Sequence, residues 1–115
     1  METFEGKKAY AVYSEFGVSS EAGKYKLSVK GFSGDADDHL KNHNGHMFST
    51  YDADNDNHGG ICCACHYRVG WWFNDFIYAH LNGKYYYKHE TVVSSPRKVY
   101  WGTLALLKYG VMKIH

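Results

Sequence analysis

Asp52, Asp54 and Asp56 stand at alternate positions ahead of the Gly59-Gly60 pair, and that spacing offers a hard cation three carboxylates on one short loop. Calcium takes roughly six to eight oxygen ligands, drawn from carboxylates, main-chain carbonyls and water. Without an ion, like charges crowded on one loop oppose each other's ionisation. The same residues also make an ordinary polar turn, since Asp and Asn side chains bond the local backbone.

An EF-hand is the obvious template, and the sequence departs from it. With Asp52 as the first loop position, Asn57 stands where the sharp turn needs Gly, and Cys63 stands where a bidentate Glu closes the shell. The flanks depart as well: Met47-Phe-Ser-Thr-Tyr51 is short, β-branched and aromatic, and reads as a strand entering the loop. Any ion is therefore expected in a long loop between extended or irregular segments, its shell completed by backbone carbonyls.

A second cluster follows at once. Cys62, Cys63 and Cys65 are an odd, crowded set, so at least one thiol is expected to be free, linked to another chain, or paired with a partner outside this sequence. Pairing between near neighbours is expected to demand strained geometry, because bridged Cα atoms must lie within a narrow range. Zinc is an alternative, with Cys62, Cys65 and His66 as soft ligands and His58 and Cys63 close by. A closed zinc site usually recruits a distant second pair, for which the later candidates are His80, His89 and His115. Reduced cysteines packed as small apolar groups are the simpler reading.

The elements that must position these groups read as β structure. Tyr10, Val12 and Phe16 fall on one face of Lys8–Phe16, and Tyr25, Leu27 and Val29 on one face of Lys24–Lys30 with lysines opposite, as in sheets with one wet face. Ser19–Gly23 is a turn-like link suited to an antiparallel pair. Asp35–Gly45 has room for one helical turn, and Tyr100–Ile114 reads as closing strands, with Met112-Lys-Ile114 returning to the sheet. Trp71 and Trp72 read as core.

Composition sets the outer bounds. A chain of 115 residues is one domain or part of one. Thirteen Lys plus Arg against twelve Asp plus Glu give no basic footprint for a nucleic acid. Eleven Tyr and twelve Gly with one Pro suit a β-rich chain with many turns. No apolar run is long enough for a membrane span, and Met1–Lys8 lacks the apolar core of a signal peptide, so a secreted form is expected to be a mature piece. No nucleophile elbow, phosphate-binding Gly loop or His-Glu-x-x-His motif occurs, so an enzyme reading finds little support in the motifs.

Taken in order, Lys24-Tyr-Lys-Leu-Ser-Val-Lys-Gly-Phe-Ser-Gly34, His43-Asn-Gly45, Phe48-Ser-Thr-Tyr-Asp-Ala-Asp-Asn-Asp56, Gly70-Trp-Trp72, Leu81-Asn-Gly83, Tyr100-Trp101 and Met112-Lys-Ile114 resemble the signature of fibrinogen C-terminal domains, a family with lectin-like members such as ficolins. The resemblance runs from about Tyr10 to Ile114 and covers the later part of such a domain. It implies an α+β fold, mostly antiparallel β and irregular. Residues 1–46 and 99–115 form the sheet portion, and residues 47–98 form the loop-rich region that binds calcium and ligand.

The same resemblance implies site residues. Asp54 and Asp56 would donate carboxylates to calcium, His58 and Gly60 would donate main-chain carbonyls, and Asp52 would orient the shell. The family's disulfide joins a Cys after the calcium loop to one four residues past the second Trp; the first position is offered by Cys62 or Cys63, but the second is Phe76. Beside the calcium, lectin-like members build an acetyl-binding pocket around a cis peptide, which costs about 3–4 kcal/mol and persists only where the surroundings enforce it. That bond falls at Asp75-Phe76, Ile77 takes the place of the pocket His, Tyr67 takes one pocket tyrosine's place if the family Cys is Cys63 rather than Cys62, and the other's place falls in Ser94–Arg97. A ligand using Tyr67, Asp75, Phe76, Ile77, Tyr78 and His80 is the expectation, with packing roles for Tyr67, Tyr78 and His80 as the plainer alternative. The implied protein is extracellular and binds calcium and a glycan or glycoprotein. The competing class is an assembly domain with a degenerate sugar pocket, acting through a protein partner or homo-oligomers linked by an unpaired Cys.

Overall fold

Two eight-residue strands carry the alternation seen in the first third of the chain. β2 (Ala11–Val18) pairs antiparallel with β3 (Leu27–Gly34), placing Tyr13 opposite Phe32, Phe16 opposite Val29 and Val18 opposite Leu27. The computed structural model of the chain describes residues 1–74, 78–85, 99–102, 104 and 107–114. The link between the strands contains a single 3-10 turn (Glu21–Gly23) and closes through Lys24 and Tyr25, both with positive φ, and a bond from the Lys26 amide to Ser19 Oγ at 2.8 Å. At Gly31 φ is +69°, and a Cβ there would run into the Ser14 hydroxyl, so glycine is required where the two strands approach.

Directly opposed residues share a face of a pleated pair. On one face Leu27 and Val29 are buried and Phe16 is half-buried edge-on to Trp72, with ring centroids 6.3 Å apart. The expected apolar face is therefore covered at one end only: Tyr10 and Val12 are 58% and 50% exposed. The Trp72 layer reaches the Phe16 end of the hairpin and stops there. Tyr25 also leaves the expected face, because its φ of 54° places it in the turn before β3 begins.

Asp35–Gly45 holds one 3-10 turn, Leu40–His43, as its composition suggests. Tyr13 anchors this segment to the hairpin by donating from its hydroxyl to Asp38 Oδ1 at 2.6 Å; burial and that carboxylate push its pKa well above the usual tyrosine value. Met47–Tyr51 does not form the expected strand. Ser49 and Trp71 exchange two backbone bonds as an isolated bridge, and Thr50 and Ala53 do the same across a tight turn. The helix α1 (Cys63–Tyr67) follows the acidic loop.

The closing strands are short. β4 (Ala79–His80) pairs with β5 (Tyr100–Trp101), and β1 (Glu2–Thr3) pairs with β6 (Leu107–Tyr109). Met112-Lys-Ile114 does not return to a sheet, contrary to expectation. β6 already has the N-terminal residues as its partner, and the segment after it runs beside β2 without joining its ladder, lining an open apolar groove of about 830 Å3 with Tyr10, Val12 and Phe16. The core includes Leu27, Leu40, Ala64, Trp71, Phe73 and Trp101, all buried. Trp72, expected in the core, is half-buried. Among the described residues no helix is long and apolar enough to cross a membrane.

The one-sided covering of the hairpin has a measurable consequence. Leu27→Ala is expected to lower unfolding stability by about 3 kcal/mol, whereas Val12→Ala changes it by less than about 0.5 kcal/mol, as read by urea denaturation. Equal losses at the two sites would contradict the covering of that face at one end only.

Candidate functional site

The acidic loop is held by side chains at its entry. Asn55 donates from Nδ2 to the Phe48 carbonyl at 3.0 Å, and its amide donates to the buried Ser49 hydroxyl at 2.9 Å. Those bonds fold the middle of the loop back onto the strand-like segment that precedes it. Asp52 accepts from the Thr50 hydroxyl at 2.6 Å.

Asp54 and Asp56 are arranged in series. Asp54 Oδ1 accepts from the Asp56 amide at 3.3 Å, Asp56 Oδ1 from the His58 amide at 2.9 Å, and Asp56 Oδ2 from the Cys63 amide at 2.8 Å. Burial alone would raise the Asp56 pKa, but the bonds from Cys63 and His58 outweigh it and hold the carboxyl below its usual value. The His58 ring folds over the glycine pair, with Nδ1 accepting from the Gly60 and Ile61 amides at 3.0 and 3.1 Å, so its proton sits on Nε2.

This donor set suits a hard cation. Each carboxylate oxygen has more than one lone pair, so the amide bonds orient Asp54 and Asp56 and leave them acceptor capacity. Among the described residues no three His, Cys, Asp or Glu side chains converge on one point. A cation here would draw the rest of its shell from main-chain oxygens and water, as calcium does.

The cysteines correct two expectations. Cys62 and Cys65 form a disulfide across the first turn of α1, with Cα atoms 5.2 Å apart, inside the usual bridged range. A helical turn brings positions three apart onto one face, so near-neighbour pairing needs no unusual backbone. With those sulfurs joined, the zinc alternative loses two of its ligands. Cys63, which stands outside the disulfide, is buried, with its sulfur 3.9 Å from the Asn74 carbonyl. A link between copies through an unpaired Cys therefore has no exposed thiol to use.

Of the residues expected around a ligand, Tyr67 is buried and stacked on Phe73, with centroids 5.8 Å apart, and His80 lies buried 6.1 Å from the Tyr67 ring. Tyr78 is 43% exposed. Asp75, Phe76 and Ile77, with the expected cis bond, lie outside the described residues, as does Ser94–Arg97.

Sequence reasoning passed over His43. It is fully buried, with Nδ1 2.9 Å from the Trp72 carbonyl and Nε2 3.1 and 3.3 Å from the Tyr78 and Ala79 amides. Amides only donate, so Nε2 is the acceptor and the proton sits on Nδ1, facing the carbonyl. One neutral imidazole thus joins the Trp71-Trp72 segment to β4. Its only signal in the sequence is the His43-Asn-Gly45 motif, which says nothing of a buried imidazole. Burial, offset by the Trp72 bond and reinforced by His46, His80 and His39, pushes its pKa down to about 4.

That shift fixes the sign of a pH effect. Unfolded chains take up the His43 proton near pH 6.5, whereas the folded state resists it until about pH 4. Stability is therefore expected to be full above pH 6.5 and to fall across that window by at most about 3 kcal/mol. Denaturation between pH 7 and 4 should show the decline, and His43→Gln should flatten it. Asp56, with its lowered pKa, contributes in the same direction only at more acid pH.

The chain matches the family model described as fibrinogen beta and gamma chains, C-terminal globular domain, over residues 1–115. Human fibroleukin is 39% identical over 108 residues, which is 90% of this chain and 24% of that protein. Among solved structures, the fibrinogen-like globe domain of human ANGPTL6 superposes with a TM-score of 0.83 at 34% identity, covering 92% of this chain and 49% of that one. The lamprey fibrin D-dimer, complexed with the peptide Gly-His-Arg-Pro-amide, superposes at 0.78 with 27% identity, covering 99% and 45%. The chain thus spans about a quarter of the curated relative and about half of the solved domains. A family match along the whole sequence, joined to a shared backbone at these identities, places the chain in the fibrinogen C-terminal globular domain family.

Proposed function

We propose that this chain is an extracellular recognition module whose acidic loop is stabilised by calcium and whose neighbouring wall contacts a glycan or glycoprotein ligand. The observation that carries the reading is the pairing of Asp54 and Asp56 on one loop, each fixed by a main-chain amide and each keeping acceptor capacity. The main-chain oxygens of His58 and Gly60 complete the shell. The bound ion supplies rigidity and fixed positive charge, and the carboxylates orient it. Tyr78 offers the exposed aromatic surface beside the His43 junction. Binding rather than turnover is the role in this reading.

A second reading, recognition of a peptide or protein partner, has its own support. The lamprey fibrin structure holds a short basic peptide. Phe76 and Ile77 also stand here where a sugar pocket is expected to have Cys and His.

Calcium titration followed by melting temperature tests the metal. A rise is expected, worth about 2.7 kcal/mol at a calcium concentration one hundred times its dissociation constant, and Asp54→Ala with Asp56→Ala should abolish it. No metal-dependent change in the parent would overturn the reading. Glycan-array binding with and without EDTA separates the two ligands: calcium-dependent signal on acetylated sugars supports the first, and silence there with retained binding to a Gly-His-Arg-Pro-amide probe supports the second.

A further inference from the structure

Asn57 lies between two candidate metal ligands, Asp56 and His58, yet its side chain points away from the loop. Its Nδ2 donates to Asn74 Oδ1 at 3.2 Å and to His46 Nδ1 at 3.2 Å. Asn74 faces three elements at once. Its Oδ1 takes the bond from the acidic loop, its Nδ2 donates to the Asn42 carbonyl at 3.0 Å, and its own carbonyl lies 3.9 Å from the Cys63 sulfur. These partners settle the amide's orientation, because the Asn42 carbonyl can only accept and the Asn57 amide nitrogen can only donate.

Two of the routes out of the acidic loop meet at this residue. One runs from Asn57 directly; the other runs from Asp56 Oδ2 through the Cys63 amide to the Cys63 sulfur. On the far side, Asn42 is followed by His43, whose Nε2 holds the Tyr78 and Ala79 amides.

From this arrangement, and resting on the calcium reading above, we infer that Asn74 is a positioning residue that couples occupancy of the acidic loop to order in the wall at Tyr78 and Ala79. An ion held by the residues on either side of Asn57 fixes the backbone between them, and so fixes the donor that Asn57 presents. Asn74 then holds the Leu40–His43 turn in register, and His43 keeps the two amides pinned. Coupling of this kind is reciprocal: whatever tightens the wall tightens the ion by the same factor. Spatial continuity alone does not establish such a route, so the test cuts it on each side of Asn74.

Hydrogen exchange of the Tyr78 and Ala79 amides is measured with and without saturating calcium, alongside calorimetric titration with calcium alone. In the parent, calcium is expected to slow exchange by about fivefold or more. Asn57→Ala alters an exposed side chain and removes the loop-side bond; Asn74→Asp keeps an acceptor for Asn57 and loses the donor to Asn42. Both should still give a calcium binding heat but lose the added protection, an outcome that a purely structural role for Asn74 does not produce. Protection equal to the parent's in both variants would overturn the coupling and leave the calcium reading intact. Absence of a binding heat in the parent would overturn both.

Discussion

A neutral imidazole that satisfies three main-chain groups at once holds the middle of this molecule together. With His43 fully buried, the Trp72 carbonyl and the Tyr78 and Ala79 amides have their partner in place of water. Among the described residues the ladders other than β2–β3 are two or three residues long, so side chains perform much of the work that strands perform elsewhere. Asn44 Oδ1 accepts from the Val29 amide at 2.8 Å, Asn82 Nδ2 donates to the Gly70 carbonyl at 3.0 Å, and the indoles of Trp72 and Trp101 donate to the Tyr25 and Asp37 carbonyls. Each bond joins residues remote in sequence, and at the partly buried bonds to the Val29 amide and the Asp37 carbonyl a lost partner strands a desolvated backbone group.

The acidic loop is built by the same means at its rim. Asn55 ties its centre to its entry, and the Asp56 carboxylate accepts main-chain amides on both oxygens. An ionised carboxylate is stabilised by such donors, which is why Asp56 keeps its charge despite partial burial. Asp52 has the same chemistry and is bonded to Thr50. Equal spacing in sequence thus yields acids with different partners, main-chain amides for Asp54 and Asp56 and a hydroxyl for Asp52.

Patterns with a short period were legible in the sequence. The β2–β3 pairing, the turn at Ser19–Gly23, the single turn near Leu40 and the acidic loop all follow from alternation or from residues with strong turn chemistry. The exposed positions of Tyr10 and Val12 were not legible, because alternation says which residues share a face and not how far the covering layer extends. The Cys62–Cys65 bond was missed for a related reason: strain was judged from closeness along the chain, whereas a helical turn sets the separation. His43 was legible only as a member of a motif, since nothing local marks an imidazole that bonds residues some thirty positions away.

The disulfide at the start of α1 encloses two intervening residues and ties no distant segments together. A cross-link over so short a span removes little freedom from the disordered chain, because that effect grows with the length enclosed. The constraint that oxidation adds is accordingly confined to one turn. Cohesion across the globe is left to weak bonds that reductants do not touch.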